Sequence, residues 1–245
     1  MRKTVIITGG SGEIGSAISR QFAEYGFDVI ITYNSNTERA ENFIKSLPKG
    51  NHAAFKAPTT DTDKLKEFKT FFDKNYKALD VLVNNAGITT PVPHSDLEGL
   101  TDDWIDKIMQ TNFRGSFAMV RTFKDLLQKS SHSAGVVINI SSIAGIFGIG
   151  SNVAYCASKA ALDSMTRSLA RALAPKIRVV SVSPGFVEGD YTTNMDPVFL
   201  KNQKDNTPLG RFALGKDVAQ AVFSAATQLT FSTGNIITVD GGRLL

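Results

Sequence analysis

Short apolar runs alternate with amphipathic segments along the whole chain. The runs are rich in valine and isoleucine and end at glycine, proline or polar residues, which is typical of buried strands. They lie at residues 5–7, 29–31, 53–57, 81–83, 136–140, 177–182 and 236–239. The third run is the weakest of these predicted strands, because it is rich in alanine.

The segments between the runs have helical spacing. Ile14, Ile18 and Phe22 lie four residues apart and predict a helix directly after the first strand. Longer helices are predicted at residues 63–76, 102–127, 153–173 and 217–229, with Thr101 as the N-cap of the second and Pro175 ending the third. Apolar strands separated by helices predict an α/β fold, a single Rossmann-type, doubly wound parallel sheet of about seven strands with helices on both faces.

The length of 245 residues suits one domain over residues 1–245, although length alone permits two small domains. Residues 186–215 are long and irregular for a loop within a compact domain. We call them the lid segment, because such an insertion predicts a substrate lid with a short helix of its own.

Composition excludes several classes of protein. The 27 basic and 23 acidic residues give a net charge of +4 that is too small and scattered to indicate nucleic-acid binding. The single cysteine, Cys156, cannot form an internal disulfide, and His52, His94 and His132 lack ligand spacing, so no metal site is expected. No apolar stretch is long enough to span a membrane, and the N-terminus has no signal-like region, so we expect a cytoplasmic protein.

Tyr155 and Lys159 are four residues apart on a predicted helix and therefore share a face, and Ser142 lies thirteen residues before Tyr155. An ammonium close to a phenol lowers the phenol pKa, which is ordinarily about 10. A tyrosine with a pKa near neutrality can exchange a proton with a carbonyl or alcohol oxygen. Read alone, the pair favours the simpler interpretation of a packed ring and a solvated lysine.

A glycine-rich turn, residues 8–15, joins the first strand to the first helix and reads Thr8-Gly9-Gly10-Ser11-Gly12-Glu13-Ile14-Gly15. Backbone amides at a helix N-terminus bind phosphate, and glycines allow close approach, so this turn predicts dinucleotide binding. The fourth strand ends in Asn84-Asn85-Ala86-Gly87, whose small and amide side chains suit a surface against a cofactor. A simple Asn-Gly type of turn explains that second motif equally well.

Together these motifs resemble those of the short-chain dehydrogenase/reductase family, over residues 4–242. The matching features, in order, are the glycine-rich turn, Asn84-Asn85-Ala86-Gly87, Asn112, Ser142, Tyr155, Lys159 and Pro184-Gly185. The resemblance implies that Tyr155 is the acid/base residue and that Ser142 holds the substrate oxygen. It implies further that Lys159 lowers the Tyr155 pKa and binds the nicotinamide ribose, and that Asn112 positions a water between Lys159 and solvent.

The same resemblance implies a nicotinamide cofactor. The residues expected to line it are Thr8, Gly9, Ser11, Gly12, Ile14 and Gly15 at the pyrophosphate; Tyr33, Asn34 and Ser35 after the second strand; Asn84, Ala86 and Gly87 beside the adenosine; and Tyr155, Lys159, Pro184, Gly185 and Val187 toward the nicotinamide.

Three departures from the family pattern bear on the cofactor. Pro58 stands where the family commonly has an acidic residue near the adenine, and Asp61 is expected to be an N-cap instead. Glu13 stands where the family usually has glycine, and its side chain is expected to turn outward or to cap the helix start, where the helix dipole favours negative charge. Gly189 stands where a threonine often contacts the carboxamide, with Thr192 and Thr193 as possible substitutes.

The end of the second strand favours NADPH over NADH. Enzymes that prefer NAD usually place an acid there for the ribose 2′-hydroxyl, and residues 32–36 contain none. Asn34, Ser35 and Arg39 can donate hydrogen bonds to a 2′-phosphate. Against this, Gly12 stands where many NADP-preferring members carry a basic residue.

Within the family the chain is most similar to 3-oxoacyl-[acyl-carrier-protein] reductases, in residues 29–36, 139–145, 184–188 and 232–242. This implies NADPH-dependent reduction of a 3-oxoacyl thioester to the (3R)-3-hydroxy form in fatty acid biosynthesis, with acyl carrier protein as a partner. A sugar, steroid or small secondary alcohol is the alternative substrate. A non-catalytic dinucleotide sensor is disfavoured because Tyr155 and Lys159 are both present. An extended epimerase or dehydratase is disfavoured by the short C-terminal region. The family resemblance also implies a homotetramer.

Overall fold

Seven parallel strands form one sheet in the computed structural model, which describes residues 2–130, 134–193 and 195–244. The strands are β1 (Thr4–Thr8), β2 (Asp28–Tyr33), β3 (Ala53–Lys56), β4 (Val81–Asn84), β5 (Gly135–Ile140), β6 (Ile177–Pro184) and β7 (Ile236–Val239). Their order is β3-β2-β1-β4-β5-β6-β7, so the predicted doubly wound parallel sheet is confirmed. The order reverses between β1 and β4, where doubly wound sheets open a ligand-binding crevice at the carboxyl ends of the strands.

Helices connect successive strands and cover both faces. They are α1 (Glu13–Glu24), α2 (Thr37–Lys45), α3 (Thr62–Asn75), α4 (Asp102–Met109), α5 (Ser116–Leu127), α6 (Ala144–Phe147), α7 (Val153–Leu173), α8 (Asp190–Thr193), α9 (Pro197–Asp205) and α10 (Gly215–Thr227). The lid segment contains α8 and α9, with Asn194 outside the described residues. No helix among the described residues is both long and apolar enough to cross a bilayer.

The helix predicted over residues 102–127 is interrupted. Between α4 and α5 lies a π-helix, Gln110–Gly115, in which Asn112 and Gly115 are buried. A π turn bonds each amide to the fifth carbonyl before it and is frequent at functional sites. The prediction of one regular helix is wrong here, because apolar spacing does not record which carbonyl each amide bonds.

The core lies on both faces of the sheet, because successive side chains of a strand point in opposite directions. Val5 and Ile7 of β1 pack with Phe22 of α1 on one face. Ile6 packs with Phe123 of α5 on the other. These two cores fix the helices against the sheet and leave the carboxyl ends of the strands as the open edge.

Candidate active site

The N-terminus of α7 is fixed by a buried asparagine. Asn152 is fully buried, and its side-chain oxygen accepts a hydrogen bond of 2.7 Å from the Tyr155 amide as the helix N-cap. Its side-chain nitrogen donates to the Thr90 carbonyl at 2.7 Å. This asparagine therefore ties the first turn of α7 to the segment that follows β4, and it sets the rotation of the helix face that carries Tyr155 and Lys159.

Lys159 points to the carboxyl end of β5. Its Nζ donates to the Ile140 carbonyl at 2.8 Å and lies 5.6 Å from the centroid of the Tyr155 ring. The structure thus brings the phenol and the ammonium to the same space, one helical turn apart. Ser142, two residues beyond Ile140, accepts a hydrogen bond of 3.1 Å from the Ala144 amide at its Oγ.

Helix α6 lies close against α7 because Gly145 has no side chain. A Cβ at this position would come within 2.6 Å of the Lys159 carbonyl carbon and 2.7 Å of the Ala160 nitrogen. Both neighbours are backbone atoms that cannot rotate away. Gly145 therefore sets the separation between the loop that carries Ser142 and the helix that carries Tyr155 and Lys159.

Burial favours the neutral form of Lys159 over the ammonium form. The side chain is 5% exposed, and burial lowers the pKa of Lys159 to about 8, while the carboxylate of Asp163 acts in the opposite direction. Asp163 lies one turn further along α7 and is itself buried, which raises its pKa; the hydroxyls of Ser141 and Ser181 oppose that rise. Sequence reasoning missed Asp163, although an acid four residues after a candidate lysine was a usable signal.

Asn112 joins the π-helix to the segment after β4 and to α7. Its Oδ1 accepts from the Ile88 amide at 2.8 Å, and its Nδ2 donates to the Ile88 carbonyl and to Ser158 Oγ, each at 3.0 Å. A Cβ on Gly87 would lie 3.3 Å from Asn112 Oδ1 and 3.5 Å from Lys159 Nζ. Asn112 and Lys159 therefore meet at Gly87, although the direct contacts of the amide are to Ile88 and Ser158.

The glycine-rich turn brings the start of α1 against the end of β4. Gly9 has φ +62°, a value that favours glycine, and a Cβ there would contact Ala86 at 3.4 Å. A Cβ on Gly15 would overlap the Gly9 carbonyl oxygen and lie 2.8 Å from Asn85 Nδ2. Gly12 is the N-cap of α1 and caps it with no side-chain hydrogen bond.

Thr8 and Asn85 link the turn to β4. Thr8 Oγ1 accepts from the amides of Asn85 and Ala86, both at 2.9 Å, and Asn85 Nδ2 donates to the Thr8 carbonyl at 2.9 Å. Sequence reasoning did not assign a role to Asn85. Asn84 differs from its neighbours, because its amide is buried and donates to Asn139 Oδ1 at 2.8 Å.

The end of β2 carries no acidic side chain. Tyr33 is half-buried, whereas Asn34 and Ser35 are exposed. Asn36 caps α2, since its Oδ1 accepts from the Arg39 amide at 2.8 Å. The side chains of residues 32–36 are thus neutral, and Glu38 and Arg39 follow in the first turn of α2.

The residues predicted to lie near a nicotinamide follow β6. Gly185 N donates to the Val239 carbonyl at 3.0 Å, and Val187 forms a bridge to Ala213 at the far end of the lid segment. The Thr192 hydroxyl accepts from Gly189 N at 3.0 Å and donates to the Gly189 carbonyl at 2.8 Å. Thr193 Oγ1 also donates to the Gly189 carbonyl, at 3.0 Å, so both hydroxyls hold the turn at Gly189.

Glu13 does not turn to solvent. It is the first residue of α1 and is half-buried, with its carboxylate against Gly189. A Cβ added to Gly189 would overlap Oε1 of Glu13. The side chain therefore bridges the glycine-rich turn and the start of the lid segment.

Taken together, the residues at the carboxyl ends of the strands fit a nicotinamide dinucleotide. Gly9, Gly12 and Gly15 place no side chains at the start of α1, so an extended phosphate group can approach the first amides of the helix once the Glu13 side chain turns away. No cluster of three His, Cys, Asp or Glu side chains in residues 2–130, 134–193 and 195–244 is arranged to hold a metal ion. His132 lies outside these ranges.

Comparisons with known proteins agree with this geometry. A family model described as Enoyl-(Acyl carrier protein) reductase matches residues 10–243. The chain is 37% identical to a protein of Rickettsia conorii named 3-oxoacyl-[acyl-carrier-protein] reductase FabG, covering 99% of this chain and 97% of that protein. It is 34% identical to the protein of the same name from Staphylococcus aureus, covering 100% of this chain and 99% of the relative.

A solved structure shows the same architecture. A short-chain dehydrogenase/reductase from Burkholderia xenovorans superposes with a TM-score of 0.91 at 29% identity, over 99% of this chain and 98% of that one. The chain therefore belongs to the short-chain dehydrogenase/reductase family and is an NAD(P)-dependent oxidoreductase that acts on carbonyl or alcohol groups.

Proposed function

We propose that this chain is an NADPH-dependent reductase that converts a 3-oxoacyl-[acyl-carrier-protein] to the (3R)-3-hydroxyacyl form. The observation that carries the proposal is the meeting of Tyr155 and Lys159 beside Ser142, at the carboxyl edge of the sheet that also holds the glycine-rich turn. The relatives named 3-oxoacyl-[acyl-carrier-protein] reductase support the choice of an acyl thioester.

Apolar side chains around the site support an acyl substrate over a sugar. Ile146, Phe147 and Ile149 lie in the chain between Ser142 and Tyr155 and are 43%, 48% and 78% exposed. The lid segment adds Val198 and Leu209, which are 67% and 70% exposed. Exposed apolar side chains of this kind favour contact with an apolar ligand.

Tyr155 and Ser142 both donate hydrogen bonds to the carbonyl oxygen of the substrate. The bound dinucleotide would supply the hydride, which leaves negative charge on that oxygen. The hydrogen bond from the Ala144 amide uses only the acceptor side of Ser142, so its O–H can still donate to the substrate. Tyr155 donates the second hydrogen bond and transfers its proton to the oxygen as the charge develops.

Lys159 supports the proton transfer electrostatically. Its hydrogen bond to the Ile140 carbonyl uses one of three ammonium hydrogens, which leaves two for ribose hydroxyls and for the surroundings of Tyr155. Asp163 behind it favours the charged ammonium. A charged Lys159 stabilises the phenolate that Tyr155 becomes after it has given up its proton.

The preference for NADPH rests on the end of β2. Asn34, Ser35 and Arg39 are exposed there and can donate to a 2′-phosphate, and no acid lies in residues 32–36 to repel it. We expect NADPH to support reduction of acetoacetyl thioesters at a higher kcat/KM than NADH. A spectrophotometric screen with both cofactors, against thioesters, sugars, steroids and simple ketones, measures this. A tenfold preference for NADH, or no thioester reduction, would contradict the proposal.

We further propose that the chain acts in the cytoplasm as one domain over residues 1–245, with the lid segment over the site, and that it assembles as a homotetramer. The faces of β7 and of the helices that begin near Thr101 and Val153 support this assembly, by their similarity to family interfaces. Light scattering at micromolar concentration is expected to give the mass of four chains, and a monomer would contradict it.

Replacement of Tyr155 by phenylalanine tests the proton donor. We expect Tyr155→Phe to lose at least about a hundredfold in turnover, because general acids contribute at least that much, while dinucleotide affinity is retained. Tyr25→Phe is the matched control, since Tyr25 is 64% exposed on the surface. Turnover within tenfold of the wild type in Tyr155→Phe would refute the assignment.

The pH dependence of the reaction tests Lys159. Because burial lowers the pKa of Lys159 to about 8, its ammonium form is present below that pH and is lost above it. We therefore expect kcat/KM for NADPH to fall about tenfold per pH unit above about pH 8, as for loss of one essential proton. Lys159→Arg keeps its charge and should be slower but lack this break.

Substitution of Asp163 provides a second test of the pH dependence of kcat/KM. Its carboxylate raises the Lys159 pKa, so Asp163→Asn should move the break to lower pH. A wild-type profile that stayed flat to pH 10, or a break that Lys159→Arg retained, would show that another group controls the reaction.

A further inference from the structure

The first turn of α1 touches both ends of the lid segment. At the near end, the Glu13 carboxylate lies against Gly189. At the far end, a Cβ on Gly215 would lie 3.1 Å from Ala17 Cβ and 3.6 Å from the Glu13 carbonyl oxygen. The start of α1 is therefore the place where the glycine-rich turn and the lid segment meet.

Gly189 cannot readily withdraw from Glu13. The residue before it is paired with the far end of the lid segment, since Glu188 N donates to the Ala213 carbonyl at 2.8 Å. The Thr192 hydroxyl fixes both the amide and the carbonyl of Gly189. A side chain at position 189 would therefore have to displace the Glu13 carboxylate rather than move its own backbone.

The charge of Glu13 bears directly on dinucleotide binding. The proposed pyrophosphate position is at the amides that begin α1, and Glu13 is the first residue of that helix. Its side chain extends from there toward Gly189, four residues beyond Gly185 on the nicotinamide side. An anionic ligand lying between the turn and this strand end meets a carboxylate of like charge, which disfavours binding.

We propose that Glu13 and Gly189 together set the affinity of this chain for its dinucleotide. The Glu13 carboxylate occupies the space between the glycine-rich turn and Gly189 in the unliganded protein, and the dinucleotide binds by displacing it. This inference rests on the proposed function only in requiring that a dinucleotide binds. The Glu13 carboxylate can occupy this space only because Gly189 has no side chain.

The first test removes the charge and keeps the shape. We expect Glu13→Gln to bind NADPH and NADH at least fivefold more tightly than the wild type, measured by fluorescence titration at constant ionic strength. Glu24→Gln, at the exposed opposite end of α1, is the matched control and should not change either affinity. Unchanged or weaker binding by Glu13→Gln would overturn the proposal.

The second test uses the unliganded protein and measures the coupling of the two positions. Gly189→Ala should lower the melting temperature by about 2 °C, because the new methyl group forces the flexible Glu13 carboxylate out of its place. In the Glu13→Gly background the same substitution should cost at most half as much, with the remainder due to the backbone at Gly189, whose φ is +159°. Equal losses in both backgrounds would show that the two residues are independent.

The outcomes separate this inference from the proposed function. A wild-type chain that bound neither dinucleotide would overturn both. A wild type that binds one and reduces a carbonyl, with no tighter binding in Glu13→Gln, would overturn the inference alone.

Discussion

Burial of the Lys159 ammonium group has to be compensated, because a charged group removed from water is costly unless dipoles or opposite charge surround it. The Ile140 carbonyl accepts one hydrogen bond, the Tyr155 ring lies within 5.6 Å, and Asp163 supplies negative charge behind it. Each of these partners belongs to β5 or α7. The need to satisfy one cation therefore fixes how far along the sheet α7 lies.

A chain of buried polar contacts fastens α7 to the sheet below the site. Asn84 donates to Asn139, Asn139 donates to Thr166, and Thr166 and Ser181 share a hydrogen bond, each at 2.8 Å. The same residues are register partners, with Asn84 beside Asn139 and Asn139 beside Ser181. Buried hydrogen bonds between side chains favour one arrangement of the elements over its alternatives. Here they relate α7, and so Tyr155, to three central strands.

The sheet could be predicted from the sequence because its strands are apolar runs bounded by glycine or proline. Helix α2 is a weaker signal, since it is only nine residues long and its apolar face consists of Ala40, Phe43 and Ile44. The grouping of Tyr155 and Lys159 follows from helical spacing alone. The roles of Asn85 and Asp163 do not, because they arise where β4 meets the glycine-rich turn and where α7 meets β5 and β6.

Two of the departures from the family pattern show the same limit of sequence analysis. Read along the chain, Glu13 and Gly189 are separate exceptions, and each raises a separate question about the cofactor. In the folded chain they are one contact, in which the space that a side chain at 189 would need holds the carboxylate of Glu13. A side chain at position 189 therefore requires the end of the flexible Glu13 side chain to turn away. Because the two positions compete for the same space, the residue type at position 189 depends on the residue type at position 13.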